Sequence, residues 1–286
     1  MIIALITLYN PDQTVIDNIK TIIPQADKIY LSDNSPDNHE STFMNLEKVE
    51  YRFNNGNMAI SGAFNRILKD KAIDWSNDDY VIFFDQDSSI KPNHITRLIK
   101  RFDSLIKHGI NVGCLGPVFF NRSLNKIPMP KIKKRINKYD FLVKSIITSS
   151  MLSKYGILKD VGFWNEDVFL DMADWDICWR LRAKGYECVE TEATVLNHAV
   201  GSGNVKVGPI NIRENTLVRE YYQSRNYLYL LHKKYVPIKY KLRFIQNLTI
   251  RPILHYFYLD NGEKRMQYIR EGIRDYKKGY FGEYRG

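Results

Sequence analysis

Two carboxylates one residue apart, Asp85 and Asp87, come directly after a short apolar run that begins at Tyr80. An aromatic and β-branched run of this length, bounded by polar residues, predicts a buried strand. Carboxylates at positions i and i+2 after a strand can bind one hard divalent cation, which can complete its coordination shell with the phosphate oxygens of a substrate. A solvated acidic turn is the alternative, and for an isolated Asp-x-Asp it is the better interpretation.

A second acidic cluster has its carboxylates between bulky apolar side chains. Its acids are Asp167, Asp171, Asp174 and Asp176, and its aromatic residues include Phe169, Trp175 and Trp179. A helix is predicted to start at Asp174, and the helix dipole stabilises acids in a first turn, so capping explains one or two of the four. Acids among apolar side chains are costly unless they are paired or used in chemistry. We therefore favour Asp174 as a general base.

A histidine, His198, follows a short predicted strand and leads into a loop that contains Gly201 and Gly203. A single histidine is more often structural than catalytic. A neutral imidazole can nevertheless join carboxylates as a third metal ligand. The glycines would let the backbone approach phosphates closely or let the loop close.

The elements that must position these groups alternate between strands and helices in the first 120 residues. Apolar runs predict strands at 2–7, 28–32, 49–53, 80–84 and 112–119. Helices are predicted from Pro11 to Ile23, after Asn57 to about residue 71, and from Pro92 to about residue 108. This order predicts an α/β fold with a mostly parallel sheet flanked by helices.

The chain is less regular from residue 121 to residue 215. A helix is predicted at 174–184, short strands at 186–190 and 194–197, and a glycine-rich loop at 201–208. From Thr216 onward the pattern is helical, with Pro237 and the pair Asn261–Gly262 separating three segments.

Composition predicts an ordinary globular protein, with 44% hydrophobic and 26% charged residues among 286. No apolar run is long enough for a transmembrane helix, and the first residues are typical of a strand and not of a signal peptide. Cys114, Cys178 and Cys188 are widely spaced and suggest neither a disulfide framework nor a zinc site. A reducing cytoplasm is the simplest compartment for such a chain.

Most of the net charge of +10 lies near the end of the chain, where residues 219–286 contain 15 Lys and Arg against 6 Asp and Glu. Basic, aromatic-rich helices can bind an anionic membrane surface or nucleic acid. A solvated basic face is an equally good interpretation of the charge alone.

Taken together and in this order, the motifs resemble those of the inverting glycosyltransferases of family 2, which have the GT-A fold. Similar segments are Ile6–Asn10, Asp33, Asn54–Asn57 with Asn65, Asp85–Asp87, Asp174–Asp176, and His198 with Gly201. Residues 169–180 and 219–226 look most like the rhamnosyltransferase branch of the family. Ala173 replaces the acid that usually precedes the base, and Asp176 stands for a Glu.

The resemblance implies a role for each matching residue. Asp174 is the implied catalytic base, and Asp85, Asp87 and His198 are the implied ligands of Mg²⁺ or Mn²⁺. The residues implied at the donor are Thr7, Tyr9, Asp33, Asn57, Asn65, Asp85 and Gln86, with Asp33 at the nucleotide base. Those implied at the acceptor or in support of the site are Asp171, Trp175, Asp176, Arg180 and Arg225.

The resemblance also implies the organisation and the reaction. Residues 1–215 would form a GT-A catalytic domain, with a nucleotide-binding half at about 1–120 and an acceptor half at about 121–215, and residues 216–286 a C-terminal helical region. The donor would be a nucleoside-diphosphate sugar, with dTDP-rhamnose favoured over UDP-hexoses and galactofuranose. The acceptor would be a glycan, lipid-linked at the inner face of the plasma membrane, in cell-surface polysaccharide synthesis. The C-terminal helices would serve a membrane surface or a homodimer.

Two other classes of protein fit the sequence less well. A sugar-nucleotide nucleotidyltransferase typically has a glycine-rich, basic loop after its first strand, and Ala4–Asp12 contains neither glycine nor a basic residue. A nucleic-acid binding module would leave the acidic clusters unexplained, because carboxylates repel phosphates in the absence of a metal. We therefore expect no nucleic-acid partner.

Overall fold

The structure is a computed structural model that describes residues 1–121, 127–128, 132–198, 203–207, 210–214 and 216–286. The backbone alone is described for residues 121, 198, 203–207 and 210–214. Within these ranges, nine strands form one sheet in the order β3-β2-β1-β4-β8-β5-β9-β7-β6. The strands are β1 (Ile2–Leu8), β2 (Lys28–Asp33), β3 (Val49–Phe53), β4 (Tyr80–Asp85), β5 (Val112–Asn121), β6 (Lys134–Arg135), β7 (Asp140–Val143), β8 (Met151–Lys154) and β9 (Glu187–His198).

Helices separate most of the strands, as the alternating sequence pattern predicts. They are α1 (Gln13–Ile22), α2 (Glu40–Phe43), α3 (Ala59–Leu68), α4 (His94–Lys107), α5 (Tyr155–Asp160) and α6 (Ala173–Ala183). The prolines predicted to open α1 and α4 lie outside both helices. Asp12 accepts a hydrogen bond from the Thr14 N–H and so fixes the start of α1 after Pro11. Asn93, in a left-handed conformation, separates Pro92 from α4.

The first four strands are parallel, and their order places a topological switch between β1 and β4. The chain moves from β1 outward to β2 and β3, then returns to place β4 on the other side of β1. Open α/β sheets bind ligands in the crevice at the carboxyl ends of the strands at such a point. In the sheet, Thr7 lies between Ser32 of β2 and Asp85 of β4.

The rest of the sheet is mixed. Strand β8 is antiparallel to both β4 and β5, whereas β9 is parallel to β5 and antiparallel to β7. The two short strands predicted at 186–190 and 194–197 are one strand, β9. A shift in its register with β5 accommodates the polar stretch Glu192–Thr194, which therefore interrupts the pairing without ending the strand.

The core explains why the apolar run before the paired aspartates forms a strand. Val81, Ile82, Phe83 and Phe84 are all fully buried, and successive strand residues point to opposite faces of the sheet. Strand β4 is therefore covered on both faces, as expected for a central parallel strand. Burial of each Phe side chain contributes about 1.5–3 kcal/mol relative to exposure.

The final part of the chain consists of a hairpin and three helices. The hairpin pairs β10 (Gly203–Val207) with β11 (Ile210–Glu214), so strand replaces much of the predicted loop 201–208. The helices are α7 (Leu217–Leu231), α8 (Ile238–Tyr258) and α9 (Gly262–Lys277), in agreement with the breaks predicted at Pro237 and Asn261. None of the described helices is long and apolar enough to cross a bilayer.

The chain forms two compact units. The first contains residues 1–165 and 177–200, and the second contains residues 166–176 and 201–286. The acidic segment that ends at Asp176 thus belongs to the same unit as the C-terminal helices. The assignment of residues 1–215 to catalysis and 216–286 to an extension stays a prediction.

Candidate active site

The carboxyl ends of β1 and β4 are joined by a side chain. Gln86 accepts a hydrogen bond from the Tyr9 N–H through Oε1 (2.8 Å), and its Nε2 donates to the Tyr9 carbonyl (3.1 Å). The Tyr9 side chain itself is half exposed. The end of β2 is held nearby, because the Asn34 N–H donates to the Leu8 carbonyl. Several predicted donor residues therefore share one edge of the sheet.

The paired aspartates lie on a fixed turn at this edge. Asp85 ends β4 and is partly buried, whereas Asp87 is exposed. The Ser88 N–H donates to the Asp85 carbonyl (3.0 Å), and Asn18 donates through Nδ2 to the Gln86 carbonyl (2.9 Å). These contacts hold the backbone on which both carboxylates are carried.

The residues here fit a hard divalent cation. Carboxylate oxygens are the ligands that Mg²⁺ and Mn²⁺ prefer. An isolated β-bridge between Ser89 and Asn197 brings the turn beside the end of β9, where His198 is the last residue. The backbones of the three predicted ligands thus come together in the first unit. The His198 side chain lies outside the described part of the chain, as does Gly201.

Asp33 ends β2 and is fully buried. Its Oδ1 accepts hydrogen bonds from the N–H (2.8 Å) and hydroxyl of Ser35, and its Oδ2 accepts one from the Tyr51 hydroxyl (2.6 Å) and lies 2.9 Å from His39 Nδ1. Burial, and then the Asp33 carboxylate, raise the pKa of Tyr51, so this hydroxyl keeps its proton. A nucleotide base that binds Asp33 must therefore displace one of these partners.

The two predicted asparagines differ in position. Asn57 is partly buried and its Oδ1 accepts a hydrogen bond from the N–H of Ala59, which has a left-handed backbone conformation. Asn65 is buried, and its amide exchanges hydrogen bonds with the backbone N–H and carbonyl of Trp164 (3.0 and 2.8 Å). These bonds show that Asn65 positions the Trp164 segment, and its contact with the donor stays a prediction.

In the second unit, the acidic segment before α6 is held in a strained backbone conformation. Leu170 and Met172 both have positive φ angles (67° and 72°) although neither is glycine. Such conformations cost about 1–3 kcal/mol each and persist only where surrounding contacts enforce them. Asp171 lies between the two, and Arg219 binds its carboxylate with two nitrogens.

Three polar side chains of α7 supply the contacts that hold this segment. Arg219 and Gln223 bind the Asp171 carboxylate, and Asn226 donates through Nδ2 to the backbone carbonyls of Phe169 (2.8 Å) and Asp171 (3.0 Å). Positions 219, 223 and 226 lie on one face of a helix. The motif match covered residues 219–226 but assigned a site role to Arg225 alone, although the spacing of the other three residues could have identified them.

Asp174 is the first acid of α6 and is partly buried. Its Oδ1 accepts a hydrogen bond from the N–H of Trp175 (2.9 Å), whose ring packs 5.4 Å from that of Tyr240. Asp176 is fully buried and accepts a hydrogen bond from the Tyr235 hydroxyl. Asp174 is therefore the more accessible of the two acids.

The two predicted arginines also support the fold. Arg180 donates to the Val161 carbonyl (2.6 Å). Arg225 is fully buried, and its predicted place in the acceptor site or in support of it stays a prediction. Its Nη1 donates to the Gly282 carbonyl (2.7 Å), and its guanidinium lies within 6 Å of the rings of Phe169, Tyr221, Tyr222 and Phe281.

The three cysteines, which are far apart in the sequence, meet in the core. Cys114 of β5 is the register partner of Cys188 of β9, and Cys178 of α6 completes a buried group whose sulfurs lie within 4.8 Å of one another. The group forms only when β5, β9 and α6 pack together, so sequence spacing could not reveal it.

Comparison with known proteins identifies the family. The model of glycosyl transferase family 2 matches residues 4–162, which is more than half of the chain. The chain belongs to glycosyl transferase family 2. The matched range contains the whole β1–β4 edge with Asp33, Asp85 and Asp87. The family resemblance of the sequence motifs is thus confirmed.

Curated relatives of this family-2 chain synthesise or transfer sugars. It is 30% identical to the dTDP-rhamnosyl transferase RfbF of Shigella flexneri over 204 residues, 68% of this chain and 66% of that protein. It is 26% identical to a poly-β-1,6-N-acetyl-D-glucosamine synthase of Staphylococcus epidermidis over 64% of this chain and 46% of the synthase. The matches thus span about two thirds of the first relative's length and less than half of the second's.

Solved structures agree on the fold. A crystal structure of GalNAc-T7 with UDP, GalNAc and Mn²⁺ has a TM-score of 0.56 at 11% identity, covering 98% of this chain and 57% of that one. The 1–349 fragment of S. aureus TarS has a TM-score of 0.53 at 11% identity, covering 99% and 93%. The family-2 chain has the GT-A fold, as predicted.

Proposed function

We propose that this protein is a metal-dependent inverting glycosyltransferase that moves a sugar from a nucleoside diphosphate to a hydroxyl group of a glycan. The observation that carries the proposal is the position of Asp85 and Asp87 at the topological switch between β1 and β4. Ligands of open α/β sheets bind at this point, and a diphosphate needs a cation there because carboxylates alone would repel it.

The donor is proposed to be dTDP-rhamnose. The similarity to the dTDP-rhamnosyl transferase RfbF supports this choice. The alternative is a transferase of the same fold that uses a UDP-hexose or a galactofuranose donor. Thr7, Tyr9, Asn57, Asn65, Asp85 and Gln86 would contact the nucleotide sugar, and Asp33 the base.

The cation would be Mg²⁺ or Mn²⁺, held by Asp85 and Asp87 with His198. When bound, it would supply Lewis-acid stabilisation of the negative charge on the departing nucleoside diphosphate. The Mn²⁺ in the GalNAc-T7 structure belongs to a protein of the same fold and supports a divalent ion without choosing between the two.

Asp174 is proposed as the general base. As the acceptor oxygen forms its bond to the anomeric carbon, the hydroxyl proton passes to the Asp174 carboxylate, and the bond from that carbon to the diphosphate oxygen breaks. This single displacement inverts the anomeric centre without a covalent sugar–enzyme intermediate. Asp171 and Asp176 would hold the base, since Arg219 and Tyr235 engage their carboxylates.

The acceptor is proposed to be a glycan, lipid-linked at the inner face of a membrane, in cell-surface polysaccharide synthesis. A homodimer through the C-terminal helices is the alternative role for that region.

A nucleotide-binding experiment tests the proposal. Titration calorimetry should detect binding of dTDP only when Mn²⁺ or Mg²⁺ is present, and Asp87→Ala should weaken this metal-dependent binding. Asp103→Ala, which alters an acid of α4 outside the site, should leave dTDP binding unchanged. Binding that is equally strong with EDTA, or binding of oligonucleotides in place of dTDP, would contradict the proposal.

A further inference from the structure

Helix α8 exposes a continuous apolar stripe. With 3.6 residues per turn, positions 238, 242, 245, 249, 253 and 256 fall on one face of a helix. Five of these six are large and apolar, namely Ile238, Leu242, Ile245, Ile253 and Tyr256, and all five are exposed, Ile238 to 71% and Leu242 to 62%. Phe257 beside them is 72% exposed. Scattered apolar residues are ordinary on a protein surface, but a contiguous patch marks a binding surface.

The stripe keeps its outward position because another face of α8 is anchored. Phe244 is fully buried and stacks on Tyr227 of α7 (ring centroids 4.9 Å apart). His255 is buried, and its Nδ1 lies 2.8 Å from the carboxylate of Glu220 of α7. A rotation of α8 that hid the stripe would break these contacts.

The charges of α8 decide what the stripe binds. The helix contains Lys239, Lys241, Arg243 and Arg251 but no Asp or Glu. Lys239 and Arg243 are exposed beside the stripe, and Lys241 is partly exposed. In a symmetric dimer through α8, the second copy would present the same basic side chains and no acidic residue from its own α8. Such an interface would bring like charges together.

The acidic residues of the neighbouring helix α9 do not cancel the positive charge of α8. A groove of about 740 Å³ lies between α8 and α9, and the stripe residues Ile253 and Tyr256 line one side together with Phe257. Glu263 and Glu271 of α9 line the groove, but Arg270 and Arg274 lie on the same helix and line it too. The apolar surface therefore continues into a groove whose acids are matched by cations.

We propose that α8 binds an anionic lipid bilayer, lying in the plane of its surface. The apolar stripe would enter the boundary between head groups and acyl chains, while Lys239, Lys241 and Arg243 contact lipid phosphates. Amphipathic helices with aliphatic and aromatic residues on one face and basic residues beside it bind membranes in this way. The proposal is independent of the sugar transferred and of the base that catalyses the transfer.

Flotation of the full chain with lipid vesicles tests the proposal. Vesicles of equimolar DOPC and DOPG should carry the protein, vesicles of DOPC alone should carry far less, and high salt should release it. The double variant Leu242→Glu/Ile253→Glu should reduce flotation by about tenfold or more, and so should Lys239→Glu/Arg243→Glu, because each basic residue near an anionic surface contributes to binding. The matched control is Ile106→Glu, which places the same charge at another exposed isoleucine, on α4.

Two further measurements complete the test. All altered side chains are exposed, so melting temperatures should change little, and metal-dependent dTDP binding should be retained in every variant. Absence of flotation of the wild type, equal flotation with both kinds of vesicle, or an unchanged Leu242→Glu/Ile253→Glu variant would overturn the proposal. So would a wild-type dimer in sedimentation analysis that this variant converts to a monomer, because the stripe would then bind a second copy.

Discussion

Gln86 and Tyr9 are joined by a reciprocal pair of hydrogen bonds between a side-chain amide and a backbone peptide. Gln86 lies between the two carboxylates of the Asp-x-Asp, and Tyr9 follows β1, so the pair links the ends of the two strands at the topological switch. The acidic turn is thereby held against β1 before any ligand binds. An organised turn of this kind favours ligand binding because less ordering is needed on association.

Gln86→Ala should weaken nucleotide binding. Each lost hydrogen bond contributes about 0.5–1.5 kcal/mol, so we expect dTDP affinity in the presence of Mn²⁺ to fall by about tenfold. Titration calorimetry measures this change. Gln25→Ala is the control, because the Gln25 amide also bridges backbone groups, of Thr21, Lys91 and Ile95, and its loss should leave affinity unchanged. Equal effects of the two substitutions would contradict a local role for Gln86.

Asn226→Ala should lower kcat and leave donor binding intact. The Asn226 amide donates to two carbonyls of the strained segment before Asp174, and a shift of about 1 Å in a reacting group can cost about a hundredfold in rate. Steady-state kinetics with a nucleotide sugar should therefore show the loss in kcat. Arg135→Ala, which removes an exposed ion pair with Glu192, should have no such effect. A normal kcat for Asn226→Ala would show that this segment needs no support from α7.

Glu190 should make stability depend on pH. It is buried on β9, its Oε2 has no hydrogen-bond partner within the described ranges, and burial, reinforced by Cys178, raises the pKa of its carboxyl to about 8. The folded state therefore keeps a proton that the unfolded chain loses above its ordinary pKa of 4.5. The free energy of unfolding should fall as pH rises through this window, by roughly 2 kcal/mol between pH 6 and pH 8.

Glu190→Gln should remove this dependence and stabilise the protein at pH 8. Urea denaturation at several pH values measures the change. Glu192→Gln is the matched control, because Glu192 is exposed on the same strand. Parallel stability curves for the wild type and Glu190→Gln would show that the carboxyl is ionised in the folded protein.

The sequence predicts local features well where one element determines them. The buried run of β4 and the helix breaks at Pro237 and Asn261 depend on neighbouring residues only. The start of α1 was misplaced because the side chain of Asp12, and not the ring of Pro11, fixes it. Likewise, two strands were predicted at 186–190 and 194–197, but a register shift with β5 accommodates Glu192–Thr194 within the single strand β9.

Features that depend on contacts between residues far apart in the chain could not be predicted from the sequence. The amide of Asn65 bonds to the backbone of Trp164 across 99 residues, a contact that no local pattern indicates. The cysteine group needs β5, β9 and α6 together. The contacts of Arg219 and Asn226 with the acidic segment were missed for a different reason, since the motif match at 219–226 assigned a site role to Arg225 alone.

Asp174→Asn tests whether Asp174 is the general base of the transfer. The substitution keeps the oxygen that accepts the Trp175 N–H and removes only the capacity to take a proton. Transfer from dTDP-rhamnose, measured by release of dTDP with acceptor present, should fall by about a thousandfold, within the range that a general base contributes. Metal-dependent dTDP binding should be unchanged, and Asp167→Asn in the same cluster should retain activity. Near-normal transfer by Asp174→Asn would contradict the assignment of Asp174 as the base.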